Sequence, residues 1–372
     1  MKRNLLLLII LFIGVKLNAQ KLNQSYLSAP ADSMTAGSLL FSVSNNDFLK
    51  NNEYFNPYTE GITWFGSMLQ PEIHYAFSSK TRLSAGWFLR YYYGKDKFNA
   101  SLPVFRFDYD FLPGARLTFG QLPGLLDHQL IEPIYSNDNY FKRNPENGIQ
   151  FQLTKPRLNG SLWISWEHFL LPGENRQEEI LAGFSGSYLL FPASLKRSLS
   201  FNFQGIIHHF GGQVDFSGKP LETRLNLAPG IEYTLYPECG LLSKVQLASY
   251  FIQSADQSFK VTIPYKKGFA SYSYLLLNRK WLTLAAAYFH GEYYFAPVGD
   301  NLFQSVSELN NWYSGDYRDL LNGKLMIDRE ITKGVKLGIR FESYYDLAGG
   351  NLDFCYGMNL KADVSWLLKK GR

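Results

Sequence analysis

Cysteine is scarce. The 372 residues hold two, Cys239 and Cys355. Two thiols this far apart make neither a disulfide framework nor a zinc site. Cys239 falls in a turn-like Pro237-Glu238-Cys239-Gly240 and Cys355 in a strand pattern. Long apolar runs are missing as well. After residue 20 no uninterrupted stretch approaches the ~20 residues that a membrane helix needs. Apolar spacing at i, i+3, i+4 is not sustained there either, which excludes a helical bundle. Nor is charge of one sign gathered anywhere. The net charge is a modest +5 and Lys and Arg are scattered, so no nucleic-acid partner is expected.

Aromatics are plentiful: 25 Tyr, 29 Phe and 7 Trp make up 16% of the chain. They favour strands, and membrane barrels collect them at both interfaces. The pattern is clearest from Val104 to Gln121. Phe105, Phe107, Tyr109 and Phe111 share one strand face, and Arg106, Asp108 and Asp110 share the other. After Pro113-Gly114 the alternation resumes with Leu117 and Phe119 against Arg116, Thr118 and Gly120. In a soluble sandwich the apolar face would meet a packed core. In a membrane barrel it meets lipid, and the polar face meets the lumen.

The order of the connections decides between these readings. Short, turn-like ones fall at 78–80, 112–114, 155–159, 191–197, 237–240, 278–280 and 332–334. Longer polar ones fall at 45–60, 94–100, 122–147, 169–178, 209–222, 253–267, 291–316 and 346–350. Seven short and eight longer connections predict an all-β, antiparallel, up-and-down transmembrane β-barrel of about sixteen strands, with short periplasmic turns and longer external loops. The N-terminus agrees with export. Lys2 and Arg3 precede an apolar run from Leu5 to Val15, and Leu17-Asn18-Ala19 offers a cleavage site. The expected organisation is a signal peptide at 1–19, a periplasmic arm at 20–37 and a barrel at 38–372, in the outer membrane of a Gram-negative cell.

If the apolar faces meet lipid, the charged faces line the interior. Arg82, Arg90, Arg106, Asp108, Arg116, Arg340 and Glu342 are then the candidate pore-lining wall residues. Asp127 and Glu132 join them from the long connection 122–147. Opposed charges across a narrow aqueous gap would sort ions. A closed lumen filled by ion pairs and loops is the other reading of the same residues. Aromatic clusters such as Tyr91-Tyr92-Tyr93, Tyr293-Tyr294-Phe295 and Tyr344-Tyr345 read as an interfacial girdle, with few aromatics left for the lumen.

Catalytic motifs are poor. Gly183-Phe184-Ser185-Gly186-Ser187 approaches a nucleophile elbow but lies inside a strand and lacks the second glycine position. His208 and His209 are neighbours on a strand, so they point to opposite faces and cannot share a metal. Ser165 and His168 could pair across strands, but no spacing singles them out. The chain is expected not to be an enzyme and to need no cofactor or metal.

The third long connection, Leu122 to Asn147, together with the closing strand Gly357–Trp366, resembles the general porins. Those are outer-membrane barrels of sixteen or eighteen strands whose third external loop folds inward. The resemblance implies the fold and a passive diffusion channel for small hydrophilic solutes, and transfers no specific residue. A non-conducting subunit of an envelope assembly or export complex is the first alternative, and a barrel hydrolase the second. Expected partners are outer-membrane lipid and lipopolysaccharide, the barrel assembly machinery during insertion, and a homo-oligomer or envelope complex.

Overall fold

The computed structural model describes residues 34–371, apart from 125–127, 192–195, 213–214, 216, 238–239 and 310–313. The signal peptide, most of the arm, Asp127 and Cys239 lie outside the described residues.

Sixteen antiparallel strands close into one barrel. The first eight are β1 (Leu39–Glu53), β2 (Thr63–Ala76), β3 (Thr81–Tyr92), β4 (Ala100–Leu112), β5 (Ala115–Leu122), β6 (Glu146–Thr154), β7 (Leu158–His168) and β8 (Glu179–Leu189). The second eight are β9 (Arg197–Phe210), β10 (Glu222–Leu235), β11 (Lys244–Asp256), β12 (Lys267–Arg279), β13 (Leu282–Glu292), β14 (Tyr317–Thr332), β15 (Val335–Asp346) and β16 (Leu352–Lys369). Each strand pairs with its sequence neighbours, and β1 closes on β16 from Leu39↔Lys369 to Glu53↔Phe354. Closure satisfies every backbone edge, which a sheet surrounded by hydrocarbon requires.

The alternation read in the sequence becomes two walls. Phe105 on β4 and Phe119 on β5 are 64% and 60% exposed on the outer wall, whereas Asp108 and Thr118 are buried on the inner one. A continuous outer surface of Phe, Leu, Ile and Tyr would be unstable in water and is favourable against acyl chains. The turn between β4 and β5 uses Gly114 at φ +74°, a left-handed conformation that only glycine adopts without strain.

Three expectations change. The segment 45–60 is not a loop throughout, because β1 runs on to Glu53. Its outward positions include Asn45, Asp47 and Asn51, and these polar residues masked the alternation. The chain after Trp366 also stays in the sheet, since β16 continues to Lys369. Finally, aromatics are abundant inside. Tyr250, Tyr272, Tyr274, Phe289 and Tyr344 point inward from the strands into one buried cluster with Phe303 of the connection 293–316. Of the adjacent Tyr344-Tyr345, only Tyr345 faces lipid.

Candidate functional site

The third external connection, 123–145, folds into the barrel and is held at both ends of its reach. On one side its short helix α1 (Asn139–Lys142) packs Phe141 against Phe48 and Trp64. Beside it, Lys50 of β1 donates to Asp138 Oδ1 at 2.5 Å, Asn52 to Oδ2 at 2.9 Å and the Trp64 indole to Oδ2 at 3.0 Å. On the other side Glu132 accepts from Lys324 of β14 at 2.5 Å and from the Tyr344 hydroxyl at 3.1 Å. The connection 293–316 meets it, with a 3-10 turn at Asn301–Phe303. There Tyr294 donates to the Pro133 carbonyl at 2.7 Å and Ser136 to Asp300 at 3.2 Å.

Inner-wall polar residues are correspondingly shut off from water. Ser84, Thr118, Gln150, Asn226, Ser254 and Asn322 are all buried. Near the short-turn end a cavity of about 480 Å³ remains, lined by Lys80, Asp110, Arg116, Gln152 and Thr154 among others.

Of the residues singled out from sequence, those among the described residues face this interior. Arg82 Nη2 lies 2.7 Å from Asp108 Oδ2, Arg106 Nε lies 3.1 Å from the same oxygen, and Thr118 donates to Oδ1 at 2.9 Å. Arg116 pairs with Asp110 at 2.7 Å. Arg90 donates to the carbonyls of Phe141 at 2.6 Å and Asn144 at 3.0 Å, fastening the third loop to β3. Glu342 shares Lys324 with Glu132, at 2.5 Å, and Arg340 stands 3.7 Å from Glu342. The loop acids therefore meet Lys50 and Lys324, and Lys50 was hidden in the segment taken for a loop. His128 contributes a further anchor: its Nε2 lies 2.6 Å from Glu146 and its ring stacks 3.8 Å from Trp163.

Two loop carboxyls respond in opposite directions. Burial alone would raise the Asp138 carboxyl, but Lys50 outweighs it and holds it below the usual carboxylate range. Asp300 has no such cation in contact. Burial, reinforced by Glu132 and Asp138, pushes it up to about 7. Among the described residues no group of three or more His, Cys, Asp or Glu could hold a metal ion.

The outer wall carries polar chemistry in two places. The first, a polar seam, spans β1, β2 and the end of β3. Asn45 donates to Asp47 at 2.7 Å, Ser67 to Asn45 at 3.2 Å and the Tyr93 hydroxyl to Asp47 at 3.3 Å. Higher up, Asn51 donates to Glu53 at 2.5 Å and to the Tyr356 hydroxyl at 3.0 Å, and accepts from Thr63. The second lies across β12, β13 and β14. His290 Nδ1 is 2.7 Å from Asp319 Oδ1, the Tyr288 hydroxyl donates to the same oxygen at 2.7 Å, and His290 Nε2 is 3.4 Å from Glu292. Ser271 stands opposite His290 in the ladder and is exposed on the same wall. Ionisable groups facing hydrocarbon are costly and mark function by default. Sequence reasoning missed both places, because each is assembled from separate strands without a local motif.

A closed sixteen-stranded barrel with a lipid-facing apolar wall and an inward third loop defines an outer-membrane β-barrel, porin-like in architecture. Solved structures agree in fold. OprD of Pseudomonas aeruginosa superposes with a TM-score of 0.51 at 11% identity, over 90% of this chain and 97% of that one. OpdK of the same organism gives 0.51 at 9% identity, over 88% and 99%. A loop L8 deletion mutant of OmpT from Vibrio cholerae gives 0.50 at 10% identity, over 88% and 100%. No curated protein matches the chain. The family model described as lipid A 3'-O-deacylase-type matches residues 30–371, and the chain belongs to that family. This corrects the expectation that the chain is not an enzyme, since the family it belongs to is one of enzymes.

Proposed function

We propose that this protein removes an acyl chain from a glycolipid of the outer leaflet by ester hydrolysis, working on its lipid-facing wall. The observation that carries the reading is the distribution of polar groups. Asp47, Asn51, His290 and Asp319 stand on the lipid side in the outer halves of their strands, while many inner-wall polar groups are buried and two infolded loops are bonded to that wall and to each other. A diffusion channel needs the opposite: a wetted inner wall and an inert outer one. Family membership supports the same reading and supplies the substrate class, lipid A. The likeness to OprD and OpdK supports the architecture alone.

The test is the acyl content of lipid A. Outer membranes from cells with and without the protein are extracted and their lipid A is weighed by mass spectrometry. Loss of one acyl chain that depends on the protein is the expected result. Identical spectra, with the barrel verified as folded in the membrane, would sink the reading.

A further inference from the structure

We infer that the cavity at the short-turn end of the barrel is a binding site for a small phosphorylated sugar or polyol of the periplasm. The inference goes beyond the proposed hydrolysis and does not depend on it.

The site is built by register. Asp110 of β4, Arg116 of β5 and Gln152 of β6 lie opposite one another on the inner wall. Ser161 of β7 and Ser185 of β8 continue the row. Lys80 joins it from the turn before β3, where its carbonyl accepts from the Asp110 amide at 2.8 Å. Arg116 Nε donates to Asp110 Oδ1 at 2.7 Å and Nη2 to Oδ2 at 3.2 Å, so the carboxylate fixes the guanidinium plane. Lys80, Asp110, Arg116, Gln152 and Thr154 border an open volume of about 480 Å³. Small-molecule sites occupy roughly 300–1,000 Å³.

The rim is fixed in advance. The Thr154 amide donates to the Gly114 carbonyl at 2.6 Å, and Lys155 Nζ to the Pro113 carbonyl at 2.5 Å. A Cβ on Gly114 would collide with the Thr154 carbonyl oxygen, so the β4–β5 turn is pressed against the end of β6. A rim already in place loses little freedom when a ligand arrives.

Charge selects an anion. On the periplasmic halves of β3 to β5, together with Lys80, the inward charges are Lys80, Arg82, Arg106 and Arg116 against Asp108 and Asp110. Glu72 of β2 adds a third carboxylate, which still leaves one positive charge in excess. The exposed Lys80 ammonium makes no hydrogen bond or ion pair among the described residues. A phosphate monoester carries up to two negative charges and three acceptor oxygens, enough to engage Lys80 and Arg116 together. The side chains beside them suit the hydroxyls of a sugar. Asp110 accepts from a hydroxyl, and Gln152 and Thr154 both accept and donate. The turns that rim the cavity are the short periplasmic ones, so a ligand reaches it from that side.

The experiment is calorimetric titration of the full-length protein, purified in a nonionic detergent, with glucose 6-phosphate as the probe. Wild type is expected to bind it with a Kd below about 1 mM, and glucose, gluconate and inorganic phosphate each at least about tenfold more weakly. Lys80→Gln should weaken the binding of glucose 6-phosphate by about tenfold or more, and Thr154→Val by a smaller factor. Lys97→Gln, in an external connection, should match wild type. Heat-dependent gel migration verifies that each variant is folded. Inorganic phosphate binding as tightly as glucose 6-phosphate, or an unchanged Kd in Lys80→Gln, means an adventitious ion only and overturns the inference. Equally tight gluconate overturns the phosphate assignment. Displacement of the probe by phosphatidylglycerol in mixed micelles makes a lipid headgroup the ligand and overturns the periplasmic solute. No binding by wild type, checked by equilibrium dialysis, overturns the site. Hydrolysis is read separately from lipid A spectra, so the two proposals fail independently.

Discussion

Lys324 Nζ on β14 lies 2.5 Å from Glu132 Oε2 on the third loop, so a wall strand and an infolded loop are joined by a buried charge pair. Glu342 accepts from the same ammonium at 2.5 Å. Removing one member of a buried pair leaves an uncompensated charge and costs about 3–5 kcal/mol. Lys324→Met leaves two carboxylates facing each other. Its thermal transition in detergent should fall well below that of wild type, and the third loop should become accessible to protease. An unchanged transition would show that the loop is held by other contacts.

The buried loop carboxyl of Asp300 sets a pH dependence. Its value in the folded protein is pushed up to about 7, above the ordinary 3.8 of an aspartate. The folded state therefore binds this proton more tightly than the unfolded chain. The resulting stability is fully present below about pH 4 and is lost as the pH rises to about 7. Melting in detergent should thus occur at a lower temperature at pH 8 than at pH 5. Asp300→Asn should flatten that difference, because the amide oxygen can still accept from the Leu302 amide without acquiring charge. An equal slope in the variant would remove Asp300 as the cause.

Glycine at 183 makes room for an aromatic brace. A Cβ there would collide with the Trp163 ring, and that ring stacks on His128 of the third loop. Gly183→Ala should displace Trp163 and destabilise the fold by about 1–3 kcal/mol, a typical overpacking cost. Double substitution with Trp163→Phe should recover part of the loss. Purely additive losses would argue against the brace.

The infolded loops also predict an electrical result. Wild type in planar bilayers should show no steady stepwise conductance, because many inner-wall polar groups are buried and the two infolded connections are bonded to the wall and to each other. Deleting residues 129–142, which carry both Glu132 and Asp138, should open steps. Regular steps from the intact protein would favour solute diffusion.

On the lipid side, Asp47 sits in the outer half of β1 with Asn45 and Tyr93 as its partners. A carboxylate on this wall is destabilising by about 1–2 kcal/mol, less than a lysine or arginine at the midplane. Asp47→Leu should therefore raise resistance to unfolding. It should also lower glycolipid turnover if the seam contacts substrate. A variant that gains stability and keeps full turnover would make the seam a bystander.

The strand count and the sorting of short turns from long loops were legible because alternation and turn chemistry are local signals, whereas the inward third loop entered only through the resemblance to the general porins. Phe105 to Phe111 announces its faces within seven residues. β1 was cut short because Asn45, Asp47 and Asn51 occupy positions where lipid-facing residues are expected to be apolar. The Ser271, His290 and Asp319 group was invisible for a different reason. Its members are tens of residues apart, and only the ladder between three strands brings them level. The partners of the charged residues depended on loop placement, and no sequence period reports where Glu132 will land.

The seam between β1 and β16 has a kinetic implication. Its register runs from Leu39 opposite Lys369 to Glu53 opposite Phe354 and joins the first strand to the last. Until the final strand is delivered, both margins stay open and must be shielded by something else, since hydrocarbon offers no hydrogen bonds. Insertion must therefore end with the meeting of the earliest and latest strands, and a polypeptide stalled before β16 would remain an unsealed, curled ribbon.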